Sequence, residues 1–348
     1  MTYKLFELTM PSAVKGKSRG FMITYRSVMY DICNTSGVEM EIINVRLPDK
    51  VILDIDKLAK KHSLSRSEVI RQALTVYLHV VDNVGIMLRP IVFQVKPAQM
   101  TYTRRGDVSI VKVPTGHAIV AGSTSSGAVG PKIEDKVKVD GHVLGKFLAR
   151  VGLMDVISTG AFPILLSVTL GVEKEPTGND ILEGIRREAR TLGLDPNQVL
   201  MENTEDNFET VQTGAGLTVI GFANEEELRL GKTNPGDLIV AIGKPKVGDE
   251  VISAEAKGEI ADLKNVIQLS QRKYVHDISP VGTLGIADEA RMIAYAVGRQ
   301  LKLADVKGLD LNKSAGPATV ILATVDKERL EDLTSLISKP INVVGEIL

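Results

Sequence analysis

The chain has 348 residues, a formal net charge of −1 and 44% hydrophobic residues, which leaves room for two or three globular domains. The balanced charge excludes a protein that coats nucleic acid by charge alone, so any DNA contact must be local. Cys33 is the single cysteine, so no intramolecular disulfide is expected. Without a transmembrane-length apolar run or a signal-peptide block, the sequence predicts a cytoplasmic protein with no membrane contact.

Residues 1–37 form a tail in which no regular hydrophobic period is present. Basic residues outnumber acidic ones there: Lys4, Lys15, Lys17, Arg19 and Arg26 against Glu7 and Asp31. A basic surplus suits phosphate binding, whereas a segment without apolar period is typical of disorder. Both interpretations of the tail stay open.

A short alternating strand is predicted at residues 42–47, near the start of a segment that spans residues 38–85. Successive side chains of a strand point to opposite faces. One face is apolar and carries Ile43, Val45 and Leu47. The opposite face carries Ile42, Asn44 and Arg46. The second face therefore offers two hydrogen-bonding side chains.

Two compact helices are predicted after this strand. Asp49 is expected to be the N-cap of the first helix, which stops near His62. Ser65 and Glu68 have the spacing of a capping box at the start of the second. Helically spaced apolar residues form the first stripe at Val51, Ile55, Leu58 and Ala59, and the second at Val69, Ile70, Ala73, Leu74, Tyr77 and Leu78. These elements bury too little surface to fold alone, so a partner copy is implied.

The order of strand, helix and helix in this segment resembles the ribbon-helix-helix family. The resemblance implies that strands of two subunits pair and lie in the DNA major groove, while the second helix holds a phosphate at its N-terminus. Residues expected to face base edges are Ile42, Asn44 and Arg46, and the phosphate would be held by backbone amides near Ser65 and Ser67. We therefore expect a homodimer, or a higher even oligomer, with double-stranded DNA as a partner.

The alternative is a module that only dimerises. Phosphate binding favours a surplus of basic residues, but the two signs are equal in number here: Arg46, Lys50, Lys57, Lys60, Lys61, Arg66 and Arg71 against Glu39, Glu41, Asp49, Asp54, Asp56, Glu68 and Asp82.

From about residue 86 the pattern changes to α+β, and we predict two domains, at residues 86–222 and 223–348. Strands are predicted at 91–95, 108–113, 118–121, 164–168, 217–222, 238–242 and 319–323. Helices are predicted at 144–158, 179–192 and 288–301. The connections are rich in Gly, Pro, Asn and Asp, as turns require.

Three stretches of this part have the composition of a ligand site. Residues 122–132 are predicted to leave a strand as a loop that offers amides, hydroxyls and Lys132 to an anion, although a plain glycine-rich turn has the same composition. Asp155 lies inside an apolar helix, where a carboxylate needs a cation or a set of hydrogen bonds. Residues 202–207 concentrate oxygen ligands that suit Mg²⁺, as an acidic solvated loop also does.

These motifs, in this order, resemble the superfamily of aminoimidazole ribonucleotide synthetase, thiamine-monophosphate kinase, selenophosphate synthetase and the hydrogenase-maturation dehydratase. The resemblance covers residues 110–348 and rests on the segments 122–132, 155–163, 202–207, 234–238 and 344–347. Four segments resemble the branch that includes α-ribazole kinase of cobalamin salvage: Ser125-Ser126-Gly127 to Lys132, Gln212 to Gly216, Pro280-Val281-Gly282 and Ser314 to Pro317.

The resemblance implies a subunit of two domains that binds ATP and Mg²⁺, dimerises through the first domain and transfers a phosphoryl group to a small-molecule acceptor. Asp155 would be a catalytic Mg²⁺ ligand, with Glu205 a second metal ligand and Lys132 a catalytic cation. The residues that would hold ATP are Ser125, Ser126, Gly127, Gly130, Lys132, Asn203 and Thr204.

The chain departs from the family pattern at two places. The family has a metal-binding aspartate beside the first glycines, whereas this chain has Thr124-Ser125-Ser126 and no acid between His117 and Ile133. The double glycine of the second loop is replaced by Glu202-Asn203. Hydroxyls bring no charge, so metal affinity is expected to fall unless an acid compensates. The compensating acid would be Glu134, Asp135 or Glu205.

Three hypotheses follow. The first is an ATP- and Mg²⁺-dependent kinase, with α-ribazole as the specific expectation and the N-terminal module as an accessory. The second is a ribbon-helix-helix transcriptional regulator whose degenerate synthetase-like part senses a nucleotide or cofactor precursor. The third is a structural dimer with neither activity. The layout of the loops favours the first over the second, and the third is the weakest.

Overall fold

The structure is a computed structural model that describes residues 46–84 and 99–348. The chain divides into two compact units, Met1–Asn83 and Val84–Leu348. Each unit has its own elements and is described separately.

The first unit contains helix α1 (Asp49–His62) and helix α2 (Arg66–Val84). Pro48 occupies the N-cap position of α1 with an extended backbone, and Asp49 is the first helical residue, so the prediction that Asp49 is the N-cap is wrong. Proline favours this position because its fixed φ suits the entry into a helix and it has no amide to leave unpaired. Asp49 instead places its charge in the first turn, where it complements the helix dipole. The predicted end near His62 is confirmed, since Ser63 is left-handed at φ 55°.

The predicted capping box at the start of α2 is confirmed. The Ser65 backbone amide donates to Glu68 Oε2 at 2.7 Å, and the Glu68 amide donates to Ser65 Oγ at 3.2 Å. The two helices are also joined by Arg66, which donates to both carboxylate oxygens of Asp56. The turn between α1 and α2 is therefore fixed by side chains as well as by backbone.

The predicted apolar stripes of this unit are mostly exposed within one chain. Among the side chains described for residues 46–78, Ala59 and Val69 are buried. Large apolar residues left exposed are Leu47, Val51, Leu53, Leu58, Ile70, Leu74, Val76 and Leu78. Within the described part of this unit, a single copy thus shows no closed core, which is the condition expected of one half of a dimer.

The second unit opens with a six-stranded sheet in the order β1-β2-β3-β8-β6-β7. Its strands are β1 (Thr101–Arg105), β2 (Val108–Val113), β3 (His117–Gly127), β6 (Phe162–Leu170), β7 (Leu200–Thr204) and β8 (Gly214–Asn224). Two short strands, β4 (Val129–Gly130) and β5 (Val137–Lys138), form a separate parallel pair. Neighbours in the large sheet are antiparallel except β6 and β7.

Residues 122–127, predicted as a loop, are strand. They continue β3 and pair with β8 as far as Gly127 opposite Gly214. The glycines on both strands leave the backbones free to pair, so a composition that is typical of loops forms a regular ladder here.

Helices α3 (Gly141–Ser158), α4 (Asn179–Arg190) and the single-turn α5 (Pro196–Val199) belong to this half. One continuous core contains Leu148 of α3, Val219 of β8 and Val240 of the second sheet. Helix α3 therefore packs in a core shared by both sheets.

The second sheet has the order β10-β12-β9-β13-β11. Its strands are β9 (Leu238–Ile242), β10 (Val275–Pro280), β11 (Leu301–Leu303), β12 (Ile321–Val325) and β13 (Ile341–Ile347). The helices of this half are α6 (Glu250–Ala256), α7 (Leu263–Ser270), α8 (Gly285–Ala296) and α9 (Leu330–Leu336).

Most predicted elements of the second unit are confirmed, and the exceptions have local causes. The helix predicted at 288–301 begins at Gly285 and ends at Ala296, because Gly298 turns left-handed at φ 64° and Leu301 starts β11. The strand predicted at 91–95 lies outside the described residues. Within the described residues, no helix has the length and hydropathy needed to cross a membrane.

Two glycines determine how closely α3 and α4 approach. A Cβ on Gly145 would lie 1.9 Å from the Ile181 carbonyl oxygen, and one on Gly184 would lie 2.0 Å from the His142 carbonyl oxygen. Neither neighbour is a flexible side chain, so the helices would have to separate to accept a methyl group.

We expect Gly145→Ala and Gly184→Ala each to lower the free energy of unfolding by at least about 1–3 kcal/mol, the usual cost of overpacking. Gly214→Ala is the control, since a Cβ there meets no atom within 4 Å. The measurement is the urea unfolding midpoint of the three variants. Equal midpoints for Gly184→Ala and Gly214→Ala would contradict the close helix contact.

Candidate active site

A cavity of about 830 Å³ lies in the second unit. Its wall is formed by the turn between β1 and β2, the end of β3, one face of α3, and the segments 279–283 and 314–318. The end of β10 and the start of the following loop thus meet the hydroxyl-rich end of β3 in one site.

One face of α3 lines this cavity along most of the helix. Val143, Phe147, Val151 and Asp155 all contribute to the wall, and their spacing of four residues places them on one side of the helix. At 1.5 Å per residue, Asp155 lies about 12 Å from Phe147 and about 18 Å from Val143 along the axis. The face of α3 that lines the cavity therefore has one charged end, at Asp155, and is uncharged along the rest of its length.

Three carboxylates line the charged end: Asp107, Asp155 and Glu289. Burial raises the pKa of Asp155 to about 7, the neighbouring Asp107 and Glu289 add to the rise, and Arg105 opposes it. Burial also raises the pKa of Glu289, although a hydrogen bond from Ser279 lowers it. Asp155 remains half-buried because it borders the cavity. Arg104 and Arg105 also line the cavity, but within the described residues neither forms an ion pair with these three carboxylates.

Arg105 offsets the charge of the cluster only in part, because its guanidinium is already paired with Asp277. Its Nη1 donates to both carboxylate oxygens of Asp277 at 2.9 and 3.0 Å, and its Nη2 donates to the Ile278 carbonyl at 3.0 Å. Asp277 also accepts the Gly231 amide at 2.9 Å. The guanidinium and Asp277 are nearly fully buried, so this pair fixes β1 against β10.

Sequence reasoning missed Asp107, which lies next to the expected position of the family's aspartate. Arg105 pairs with Val108, so Gly106-Asp107 is the two-residue turn of the β1–β2 hairpin. The Asp107 carbonyl accepts the amide of Ser123 at 3.2 Å, which places the turn beside the end of β3. A Gly-Asp pair between two alternating runs was the available signal. Glu289 was also missed, because the sequence showed only that it lies in a predicted helix.

The predicted ATP-binding residues fall into two groups. Ser125, Ser126 and Gly127 line the cavity. Gly130 and Lys132 are not among the lining residues. A Cβ on Gly130 would lie 2.5 Å from Thr213 Oγ1, and the Lys132 ammonium is paired with Glu173. Their roles toward ATP stay predictions.

The acids suggested to compensate for the missing aspartate have other contacts. Asp135 is buried and accepts the Lys132 amide at 2.8 Å, the Thr213 amide at 2.8 Å and the Thr213 hydroxyl at 2.7 Å. Those three bonds use most of the roughly four acceptor positions of its carboxylate. Glu134 does not line the cavity either. Asp107 is the acid that the structure brings to the end of β3.

The predicted residues of the second loop lie away from the cavity wall. Asn203 and Thr204 end strand β7, and the Thr204 hydroxyl bonds Asp206 at 3.0 Å. The Glu205 carboxylate accepts the Asn207 amide at 2.8 Å. The assignments of Asn203 and Thr204 to ATP and of Glu205 to metal therefore stay predictions.

The predicted DNA-contacting residues lie in the first unit. Arg46 and Ser67 are exposed, and the Ser65 amide is taken by Glu68. A phosphate at α2 would use the amides that follow Ser65. Ile42 and Asn44 lie outside the described residues.

The two units belong to known classes of fold. Residues 41–79 match the family model described as ribbon-helix-helix protein, copG family, and the second unit has the aminoimidazole ribonucleotide synthetase-like fold. No curated protein matches the chain significantly.

Particular solved structures share the second fold at low identity. The hydrogenase maturation protein HypE of E. coli is 16% identical, with a TM-score of 0.50 over 65% of this chain and 79% of that one. Protein tt0281 of Thermus thermophilus is 13% identical, with a TM-score of 0.50 over 77% and 94%. Thiamine-monophosphate kinase of Stenotrophomonas maltophilia is 14% identical, with a TM-score of 0.49 over 76% and 92%.

The raised pKa of Asp155 predicts a pH dependence of stability. The folded chain binds this proton more tightly than the unfolded chain, so stability falls as pH rises from near 3.8 to about 7. At about 1.36 kcal/mol per pKa unit, the upper limit of the loss is about 4 kcal/mol. Urea unfolding between pH 5 and pH 8 should show a smaller fall in Asp155→Asn than in the parent chain.

Asp305→Asn is the matched control, since Asp305 is exposed. It should reproduce the pH dependence of the parent chain. If Asp155→Asn also does so, Asp155 does not titrate in this window.

Proposed function

We propose that the protein is an ATP- and Mg²⁺-dependent phosphotransferase acting on a small molecule. The observation that carries the proposal is the convergence of Asp107, Asp155 and Glu289 at one end of a cavity whose Arg105 is already neutralised by Asp277. Like charges in a partly dry site disfavour the ionised carboxylates, and a bound cation offsets that cost. Carboxylate oxygens are hard donors, and Mg²⁺ is commonly held by one or two of them together with substrate phosphates.

The residues at this end fit such an ion. The pKa of Asp155 is raised mainly by burial and neighbouring carboxylates, so a bound cation would favour its ionised form. Held by these carboxylates, such an ion would supply positive charge that offsets the charge of the phosphates. Asp155 and Asp107 are the proposed ligands, with Glu289 beside them.

The remaining residues of the cavity would position the nucleotide and the acceptor. Ser125, Ser126 and Gly127 present hydroxyls and backbone at the end of β3, where they suit phosphate oxygens. Phosphoryl transfer depends chiefly on alignment and charge neutralisation. The sheet and α3 hold these groups on rigid elements, which supplies that alignment.

We propose α-ribazole as the first acceptor to test. The proposal rests on the branch resemblance at residues 125–132, 212–216, 280–282 and 314–317. The cavity adds a compatible surface, because Val143, Phe147 and Val251 line it and carry no charge. An uncharged heteroaromatic ring would lose little hydration against such a wall.

With ATP, Mg²⁺ and α-ribazole, we expect Asp155→Asn to lower turnover by at least about a hundredfold, because it removes a charge that contacts the metal and phosphates. Mass spectrometry should follow the phosphorylated product and ADP together. Asp305→Asn, a change of the same chemistry at an exposed position, should keep full activity. Unchanged turnover in Asp155→Asn would remove this residue from the site, and ADP without the product would leave the enzyme class but exclude this acceptor.

We propose further that the first unit forms a homodimer that binds double-stranded DNA. The match of residues 41–79 to the ribbon-helix-helix family supports it, as does the exposed apolar face of α1 and α2. A second copy of the chain would bury that face. The second candidate function is therefore a regulator in which the cavity senses a nucleotide or cofactor precursor.

We expect Arg46→Ala to weaken sequence-specific binding by about 1–3 kcal/mol, the usual contribution of one side chain that reads a base edge. Lys50→Ala removes an equally exposed charge from α1, and we expect it to weaken binding to all sequences alike. Gel shifts on the promoter of the protein's own gene, with an unrelated duplex as competitor, measure both. Identical losses in the two variants would contradict a base-reading role for Arg46.

A further inference from the structure

A second group of metal-ligating side chains lies at one end of the five-stranded sheet, and none of its members lines the cavity. It consists of Asp237, His276 and Asp326, and one ligand atom from each lies within 4.8 Å of the others. The active-site proposal does not use these residues.

The sheet itself brings the three side chains together. Leu238 of β9 pairs with Val325 of β12, so Asp237 and Asp326, the residues just outside that pair, are opposite each other. In β10 the register shifts between Val275 and Asp277, which makes His276 the extra residue of a bulge. A bulge redirects a side chain out of the regular alternation, and His276 turns toward both carboxylates.

The charges of this cluster do not balance. Within the described residues, neither carboxylate forms an ion pair with a lysine or arginine. The nearest cations along the chain are engaged elsewhere, Lys327 with Glu346 at 3.2 Å and Arg329 with Asp332. Opposed carboxylates on neighbouring strands are unfavourable. One imidazole, charged or not, leaves the pair of acids net negative.

The two nitrogens of the His276 imidazole lie at different distances from the carboxylates. His276 Nδ1 lies 2.8 Å from Asp237 Oδ2, a hydrogen bond, whereas Nε2 lies 3.6 Å from Asp326 Oδ1, which is too long for one. Nε2 and Oδ1 are 3.6 Å apart. If a Zn²⁺ ion lay about 2.1 Å from each of them, the angle between the two bonds at the metal would be about 120°, which is within the range of a four-coordinate site.

Asp237 is placed to orient the imidazole. Its side chain is 3% exposed, and its Oδ2 also accepts the Asn234 amide at 2.8 Å. A carboxylate that accepts the far N–H of a histidine fixes the tautomer that leaves the other nitrogen free for metal. Asp326, at 46% exposed, leaves room for water ligands.

We propose that His276 Nε2 and Asp326 bind a divalent transition metal ion of the Zn²⁺ class, with Asp237 orienting the imidazole. An imidazole nitrogen selects this class over Mg²⁺. The ion would balance the two carboxylates and join the ends of β9, β10 and β12.

The test is calorimetric titration of the full chain with Zn²⁺ in excess Mg²⁺, which saturates hard-oxygen sites. We expect one Zn²⁺ per chain, at least tenfold weaker binding in His276→Gln and in Asp326→Asn, and about 10–100-fold weaker binding in Asp237→Asn. His142→Gln is the matched control, because His142 bonds a single carboxylate, Asp180, at 3.2 Å, and it should bind Zn²⁺ like the parent chain.

Thermal unfolding provides a second readout that does not depend on the calorimetric signal. Zn²⁺ should raise the Tm of the parent chain and of His142→Gln, and should not raise that of His276→Gln. No Zn²⁺ binding by the parent chain, or equal binding in His276→Gln, would overturn the proposal.

Discussion

The ion pair between Arg105 and Asp277 is the contact on which the candidate active site depends. It joins β1 of the first sheet to β10 of the second, with side chains 9% and 1% exposed. Removing one partner from such a buried pair leaves an uncompensated charge and costs about 3–5 kcal/mol. Because Asp107 follows Arg105 by two residues and Ser279 follows Asp277 by two, the pair also sets the separation of the two walls that carry them.

Helix α3 supplies the other constraint. It has a core face, an α4 face that requires glycine at 145, and a cavity face that ends in Asp155. Gly122 lets β3 pack closely against the cavity end of α3, because a Cβ there would lie 3.1 Å from the Asp155 Cβ. The acid is therefore packed between rigid elements, and its high pKa follows from packing together with neighbouring carboxylates. Such perturbed groups in a cleft are typical of functional sites.

Local patterns predicted local features of this chain well. The capping box of α2 and the central strands and helices of the second unit were readable because caps and periodicity act over a few residues. Asp155 could be singled out because a charge interrupts an apolar helix. The cluster around it could not be assembled, since Asp107 and Glu289 are 182 positions apart in the sequence and meet only through the pairing of β1 with β2 and the contact of Arg105 with β10. The strand at residues 122–127 was mistaken for a loop because its glycine- and serine-rich composition is typical of loops. In the structure these residues pair with the equally glycine-rich start of β8.

The resemblance implies an aspartate at the end of β3, where this chain has Thr124-Ser125-Ser126. Asp107 stands beside it on a hairpin turn at the edge of the sheet, where strand β1 has one neighbour among the described strands. An edge hairpin has fewer sheet contacts than a central strand, so the position of Asp107 depends on the ion pair between Arg105 and Asp277. The kinase hypothesis needs Asp107 beside Asp155 during transfer, and the sensor hypothesis needs the same cavity to hold a ligand. Both hypotheses therefore depend on the position of Asp107 at the end of β3.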